Sequence, residues 1–131
     1  MKNIIKVILF SLVIISCDPV ADMEANIKNL TDTSLNIDFV SSDVNLRKIL
    51  TLAPNEVVLF QEGFDIGSTY LEPSLIDYDS VVIRDNNQSI LKIYKPNESG
   101  KNIYNIKNWI AKEPSKRFFV YDYEVTNNDI K

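Results

Sequence analysis

The chain has 131 residues, with 14 Lys and Arg against 18 Asp and Glu, one cysteine and no histidine. That inventory removes Ser-His-Asp triads, Cys-His pairs, imidazole metal sites and any disulfide within the chain. The acidic balance and the lack of a Lys/Arg cluster argue against nucleic acid as a partner, and the length is that of one domain with its own core.

Residues 1–6 include Lys2 and Lys6, residues 7–15 form an aliphatic run, and Ser16-Cys17 follow. Nine residues rise only about 14 Å as a helix against a hydrocarbon core of about 30 Å, too short for a comfortable membrane span. A positive start, an apolar middle and a small residue before the cut make a secretory leader. An ordinary leader wants a small residue three before the cleavage point, where Ile14 stands. Ile14-Ile15-Ser16-Cys17 instead resembles the lipobox of bacterial lipoproteins. That resemblance implies that Cys17 becomes the first mature residue and carries a thioether-linked diacylglycerol, and two or more acyl chains suffice for stable anchoring. Loss of residues 1–16 leaves 12 basic and 18 acidic residues, a net charge of −6.

Residues 17–24 show neither helical nor alternating pattern and read as an acidic tether, with Asp18, Asp22 and Glu24; its seven residues after Cys17 would reach at most about 25 Å. From residue 25 onward the dominant pattern is period-two alternation, clearest where Leu35, Ile37 and Phe39 oppose Asn36 and Asp38. Residues 25–30 and 34–40, separated by the turn-rich Asn29-Leu30-Thr31-Asp32-Thr33, predict a first hairpin. Residues 47–52 and 56–61 about Ala53-Pro54-Asn55 predict a second. Residues 63–77, with Gly63, Gly67 and Pro73, read as a long connection with room for one short strand.

Residues 80–84 and 89–94 flank Asp85-Asn86-Asn87-Gln88, the strongest hairpin signal, since asparagine tolerates the positive φ of a tight reversal. Residues 105–112 predict either one helical turn, capped by Asn105 and ended by Pro114, or an extended segment anchored by its aromatics. Residues 117–126 predict a long strand whose early part is apolar on both faces, as in a central strand. Together these describe an all-β domain over residues 25–131, a small antiparallel β-sandwich of seven or eight strands, with a closed barrel as the alternative. Its expected core is Ile27, Leu35, Ile37, Leu50, Leu59, Val81, Ile83, Leu91, Ile93, Tyr121 and Tyr123.

With its lipobox, its Asn29-Leu30-Thr31-Asp32-Thr33-Ser34-Leu35-Asn36-Ile37 segment and its C-terminal Phe119-Val120-Tyr121-Asp122-Tyr123-Glu124-Val125-Thr126 run, the chain resembles small uncharacterised cell-envelope lipoproteins of Bacteroidota. The resemblance implies export, a lipid anchor in the membrane, expected to be the outer one, and the fold; the chain is read as acting by binding or as an accessory subunit, with an envelope protein or a glycan as the partner. Acidic residues soon after the lipidated cysteine act as a surface-export signal in that group, a pattern that residues 18–24 match in part. It implies no chemistry.

No residue is assigned as catalytic or metal-binding, no cofactor is expected, and the chain is read as a non-enzyme. Carboxylate chemistry would need a pair such as Asp77 and Asp79, which two-residue spacing places on one face of a strand, though a solvated loop pair is the plainer reading. Oxygen ligands for calcium could come from Asp77 and Asp79 or from Asp85, Asn86 and Asn87, but neither run has the spacing of a calcium loop. Tyr104 and Trp109 are the candidate ligand-contacting aromatics, for stacking on a sugar or anchoring a peptide, set against a role in plugging the ends of the sandwich. Asp79-Ser80-Val81 matches the short acceptor pattern for O-glycosylation in Bacteroidota, which marks Ser80.

Overall fold

The computed structural model describes residues 18–131; the leader and Cys17 lie outside them. Eight strands follow one another: β1 (Val20–Leu30), β2 (Leu35–Val40), β3 (Lys48–Leu52), β4 (Val57–Ile66), β5 (Ser80–Arg84), β6 (Ile90–Tyr94), β7 (Ile110–Ser115) and β8 (Phe118–Thr126). They form two four-stranded sheets, β4-β1-β8-β7 and β3-β2-β5-β6, packed as a sandwich. Pairing is antiparallel apart from β1 and β8, which run parallel from Asp22↔Phe118 to Leu30↔Thr126. The sandwich is therefore antiparallel-rich rather than wholly antiparallel.

β1 starts at Val20, so most of the expected tether is strand. The alternation that was not apparent in residues 20–24 is present in three dimensions: Ala21 and Met23 are buried while Val20, Asp22 and Glu24 face water. Small Ala21 gives a weak hydrophobic signal, yet it fits a closely packed sheet interior. Pairing with Phe64, Gly63 and Glu62 on one side and Phe118 to Val120 on the other supplies the backbone bonds that hold the segment extended.

Neither of the first two expected hairpins forms. β1 and β2 lie in different sheets, as do β3 and β4, so the turn-rich segments at 31–34 and 53–56 are corners between layers. Buried Asn29 explains why. Its Nδ2 donates to the carbonyls of Thr33 (2.8 Å), Leu52 (3.1 Å) and Ala53 (3.0 Å), and its Oδ1 accepts from the Thr31 N–H (3.0 Å) and hydroxyl (2.7 Å). Its backbone N–H meets Glu56 O and its carbonyl accepts from Asn55, which turns at φ 65°. One side chain thus satisfies both corners, where strands leaving for different sheets cannot satisfy one another.

The third hairpin forms as expected between β5 and β6. Its positive φ falls on Gln88 rather than an asparagine, because Asp85 Oδ1 accepts from the Asn87 and Ser89 N–H groups, both at 2.8 Å, and so shapes the turn. A 3₁₀ turn over Ile106–Asn108 is capped by Asn105, whose side chain accepts from Lys107 N–H. It ends at Trp109, not at Pro114, which sits in edge strand β7, where a missing N–H is tolerated. β8 is an interior strand, between β1 and β7.

The core contains eight of the eleven expected side chains as buried residues and Leu91 as a partly buried one. Leu59 and Ile93 are exposed. A register shift in the β1–β4 ladder turns Phe60 inward in place of Leu59, and Tyr94 takes the inward parity of β6 in place of Ile93. The larger rings bury more apolar area, each contributing roughly 1.5–3 kcal/mol or more. They form a continuous row through the sandwich: Phe39 to Phe60 at 4.5 Å, Phe60 to Trp109 at 6.3 Å, Trp109 to Tyr123 at 5.3 Å and Tyr123 to Tyr94 at 6.0 Å.

Candidate functional site

A concavity of about 620 Å³ lies where two crossings between the sheets run side by side. Residues 67–79 carry the chain from β4 to β5, and residues 95–109 carry it from β6 to β7. Backbone bonds tie the ends of the first crossing, Gly67 N–H to Pro19 O and Asp79 N–H to Val40 O, and side chains hold much of the rest. Buried Asn102 organises the second: its Nδ2 donates to Lys95 O (2.8 Å) and Glu98 O (3.3 Å), its Oδ1 accepts from Tyr104 N–H (3.1 Å), and its own N–H reaches Asn108 Oδ1 (2.8 Å). Tyr121, rising from β8, holds the first by donating to Leu71 O at 3.0 Å.

Both predicted aromatics line this cleft, in different capacities. Trp109 is only 6 % exposed; its indole N–H donates to Ile103 O at 2.8 Å and its ring packs among Phe60 and Tyr123. It is a floor residue and part of the core, unable to offer a free face to a sugar. Tyr104 is half-buried and joins the two crossings by donating its hydroxyl to Tyr78 O at 3.1 Å. Burial, and then the nearby Asp79 carboxylate, push its phenol up to about 12. The walls are Leu75, Ile76, Tyr78 and Ile106, with Asn97 and Asn105 on the rim. Sequence reading missed Asn102, whose only signal is the recurrence of Asn at 102, 105 and 108 in a segment without strand alternation.

The acids at this cleft are already engaged. Glu72 Oε2 accepts from Tyr70 hydroxyl at 2.9 Å and Glu98 Oε2 from Lys95 N–H at 3.2 Å. Asp77 and Asp79 are exposed in the connection on either side of Tyr78, not paired on a strand. Asp85 spends its carboxylate on its own turn. Among the described residues no group of three or more Asp, Glu, His or Cys could hold a metal ion. Ser80 opens β5 opposite Val40 and is half-buried.

The most buried carboxylate lies elsewhere, on the outer face of the first sheet. Asp122 accepts from Lys28 Nζ (2.9 Å), Asn26 Nδ2 (3.2 Å) and Lys112 Nζ (3.4 Å), clamping β8 to β1 and β7. Burial alone would raise its pKa, but these donors and the Lys28 charge outweigh burial and hold it below the usual carboxylate value. A carboxylate so neutralised is a brace, poorly placed to move a proton.

Among the described residues no helix is long and apolar enough to cross a membrane. Comparison with protein-family models, curated proteins and solved structures gives no match.

Proposed function

We propose that the protein is a lipid-anchored component of the bacterial cell envelope, held by acyl chains on Cys17 and acting by binding or as an accessory subunit rather than by catalysis. The observation that carries this reading is the charged, apolar, Ser16-Cys17 start, followed within three residues by strand β1. A leader too short to span and a domain that begins at once leave the cysteine as the natural point of attachment. Likeness to Bacteroidota envelope lipoproteins supports the same address. Metabolic labelling with an alkyne palmitate analogue tests it: the wild type takes up label and Cys17→Ala does not. An unlabelled wild type with its leader intact overturns it.

A second reading assigns the 620 Å³ cleft to a glycan or short peptide, favoured by an apolar wall beside asparagine amides and Tyr104. Because Trp109 belongs to the core, the informative variants are Ile76→Asp, at an exposed wall position, and Tyr104→Phe. Glycan-array or peptide binding lost in Ile76→Asp with unchanged melting supports the cleft; binding unaffected by either variant removes it. Ser80 as an O-glycosylation site is checked by intact mass after expression in the native host, where an unmodified mass rejects it.

A further inference from the structure

The outer face of the first sheet changes character along its length. At the Val20 end, successive rows across the sheet read Ile66 beside Val20, then Phe64, Asp22 and Phe118. Phe64 is 71 % and Ile66 64 % exposed, and a shallow groove runs between Phe64 and Phe118. The next row, Glu62 and Glu24 beside Val120, brings two carboxylates, and the row holding Asp122 brings the ion cluster flanked by Leu59 and Ile110, both less exposed than Phe64 and Ile66. Apolar side chains in such concentration at one exposed end call for a covering surface.

The described residues begin at this same place. Gly67 N–H donates to Pro19 O (2.6 Å) and Asp22 N–H to Arg117 O (2.8 Å), which ties the first residues of the domain to the ends of β4 and the β7–β8 turn. From Cys17 to Val20 is three residues, at most about 11 Å. Acyl chains on Cys17 would therefore hold the Val20 rim against the bilayer, with none of the freedom of a long tether.

We infer that the rim formed by Val20, Phe64, Ile66 and Phe118 is a membrane-contact surface that seats the domain on the headgroup layer in one fixed orientation; this rests on the lipid anchor proposed above. Side chains of this kind bury about 5–10 Å into the interface. The Glu24 and Glu62 row lies two residues further along the strands, about 7 Å, and sets the depth at which insertion stops. Asp22 sits between the two rings and faces the headgroups, while Lys116 and Arg117 in the adjoining turn supply positive charge at the same level. With acids on the rim, the contact is to zwitterionic lipid and does not require anionic headgroups.

Because acylation consumes the single cysteine, a new one can be labelled alone. The processed, lipidated protein carrying Ile66→Cys or Val57→Cys, each spin-labelled, is reconstituted in phosphatidylcholine vesicles and its collision rates with oxygen and with a water-soluble nickel complex are compared. The label at 66 should favour oxygen over nickel several-fold. The label at 57, nine residues away at the other end of the same strand and about 30 Å distant, should read as aqueous. Adding Phe64→Ser to Ile66→Cys should shift the balance toward nickel. An aqueous reading at 66 in protein that floats with vesicles and carries palmitate label overturns the rim while leaving the anchor standing. Protein that neither floats nor takes up label, with Cys17 open to maleimide, removes the anchor and the rim with it. A label at 66 shielded from both reagents points to cover by a second copy or by the chain's own leader, and overturns the bilayer as occupant.

Discussion

The two ends of β1 are built by opposite means. At the Leu30 end every polar group of Asn29 is used, its amide and backbone binding two corners together, and the side chain is sealed from water. At the Val20 end the backbone is equally well paired, but the side chains facing outward are Val20, Phe64 and Ile66, left to solvent. The first end leaves Leu30, Val57 and Leu59 about half exposed, whereas the second brings the more exposed Phe64 and Ile66 together in adjoining rows. Stability should therefore concentrate at the first end and interaction at the second.

The most severe way to break that contrast is Asn29→Ala. It strands three carbonyls and the Thr31 donors in a dry corner; with 1–3 kcal/mol for an unsatisfied buried group, the loss should be about 3–5 kcal/mol, read by urea denaturation, with the label at residue 66 unaffected in whatever protein remains folded. An effect below about 1 kcal/mol would show that the corner is held by its turns instead.

Between the ends stands Asp122. Its lowered pKa means that the folded state binds fewer protons than the unfolded chain, so its contribution is present above the ordinary carboxyl value of 3.8 and is lost as pH falls through the folded value. Asp122→Asn should cost about 1–2 kcal/mol at neutral pH, because Lys28 and Lys112 keep partial access to water, and should flatten the acid limb of the stability curve below pH 4.

A smaller effect belongs to Tyr104, away from both ends of β1. Its phenol, raised to about 12, adds stability that is full below 10.0 and lost as pH rises toward 12. Tyr104→Phe should cost about 1 kcal/mol at neutral pH by breaking the bond to Tyr78 O, and should weaken the alkaline decline, measured by thermal melts between pH 9 and 12.

The smallest effect on stability should come from the rim itself. Phe64→Ser should change unfolding free energy by no more than about 0.5 kcal/mol, since the side chain stands in water in the free domain, while lowering the binding of a hydrophobic dye. A large destabilisation would mean that Phe64 serves the fold, and the contrast between the ends would dissolve.

The alternation of Leu35, Ile37 and Phe39, the Asp85 turn, the Asn105 cap and the long apolar β8 were legible because each is a local pattern: periodicity two, a turn residue, a helix cap. The absence of histidine and the Ser16-Cys17 junction are likewise properties of the chain alone. What the tertiary structure decided is where strands go once formed. A turn-rich segment between two strands can close a hairpin or pass between sheets, and the choice at residues 31–34 and 53–56 was made by Asn29, which reaches Thr33 in one corner and Leu52 and Ala53 in the other. The parallel pairing of β1 with β8 joins residues almost a hundred positions apart, beyond any local signal. Bulges then reassigned Leu59 and Phe60, and burial of large rings drew Tyr94 and Trp109 inward. Local backbone preference therefore set the strands, while satisfaction of buried polar groups and close packing of aromatic rings set their arrangement, and with it the apolar end beside the start of β1.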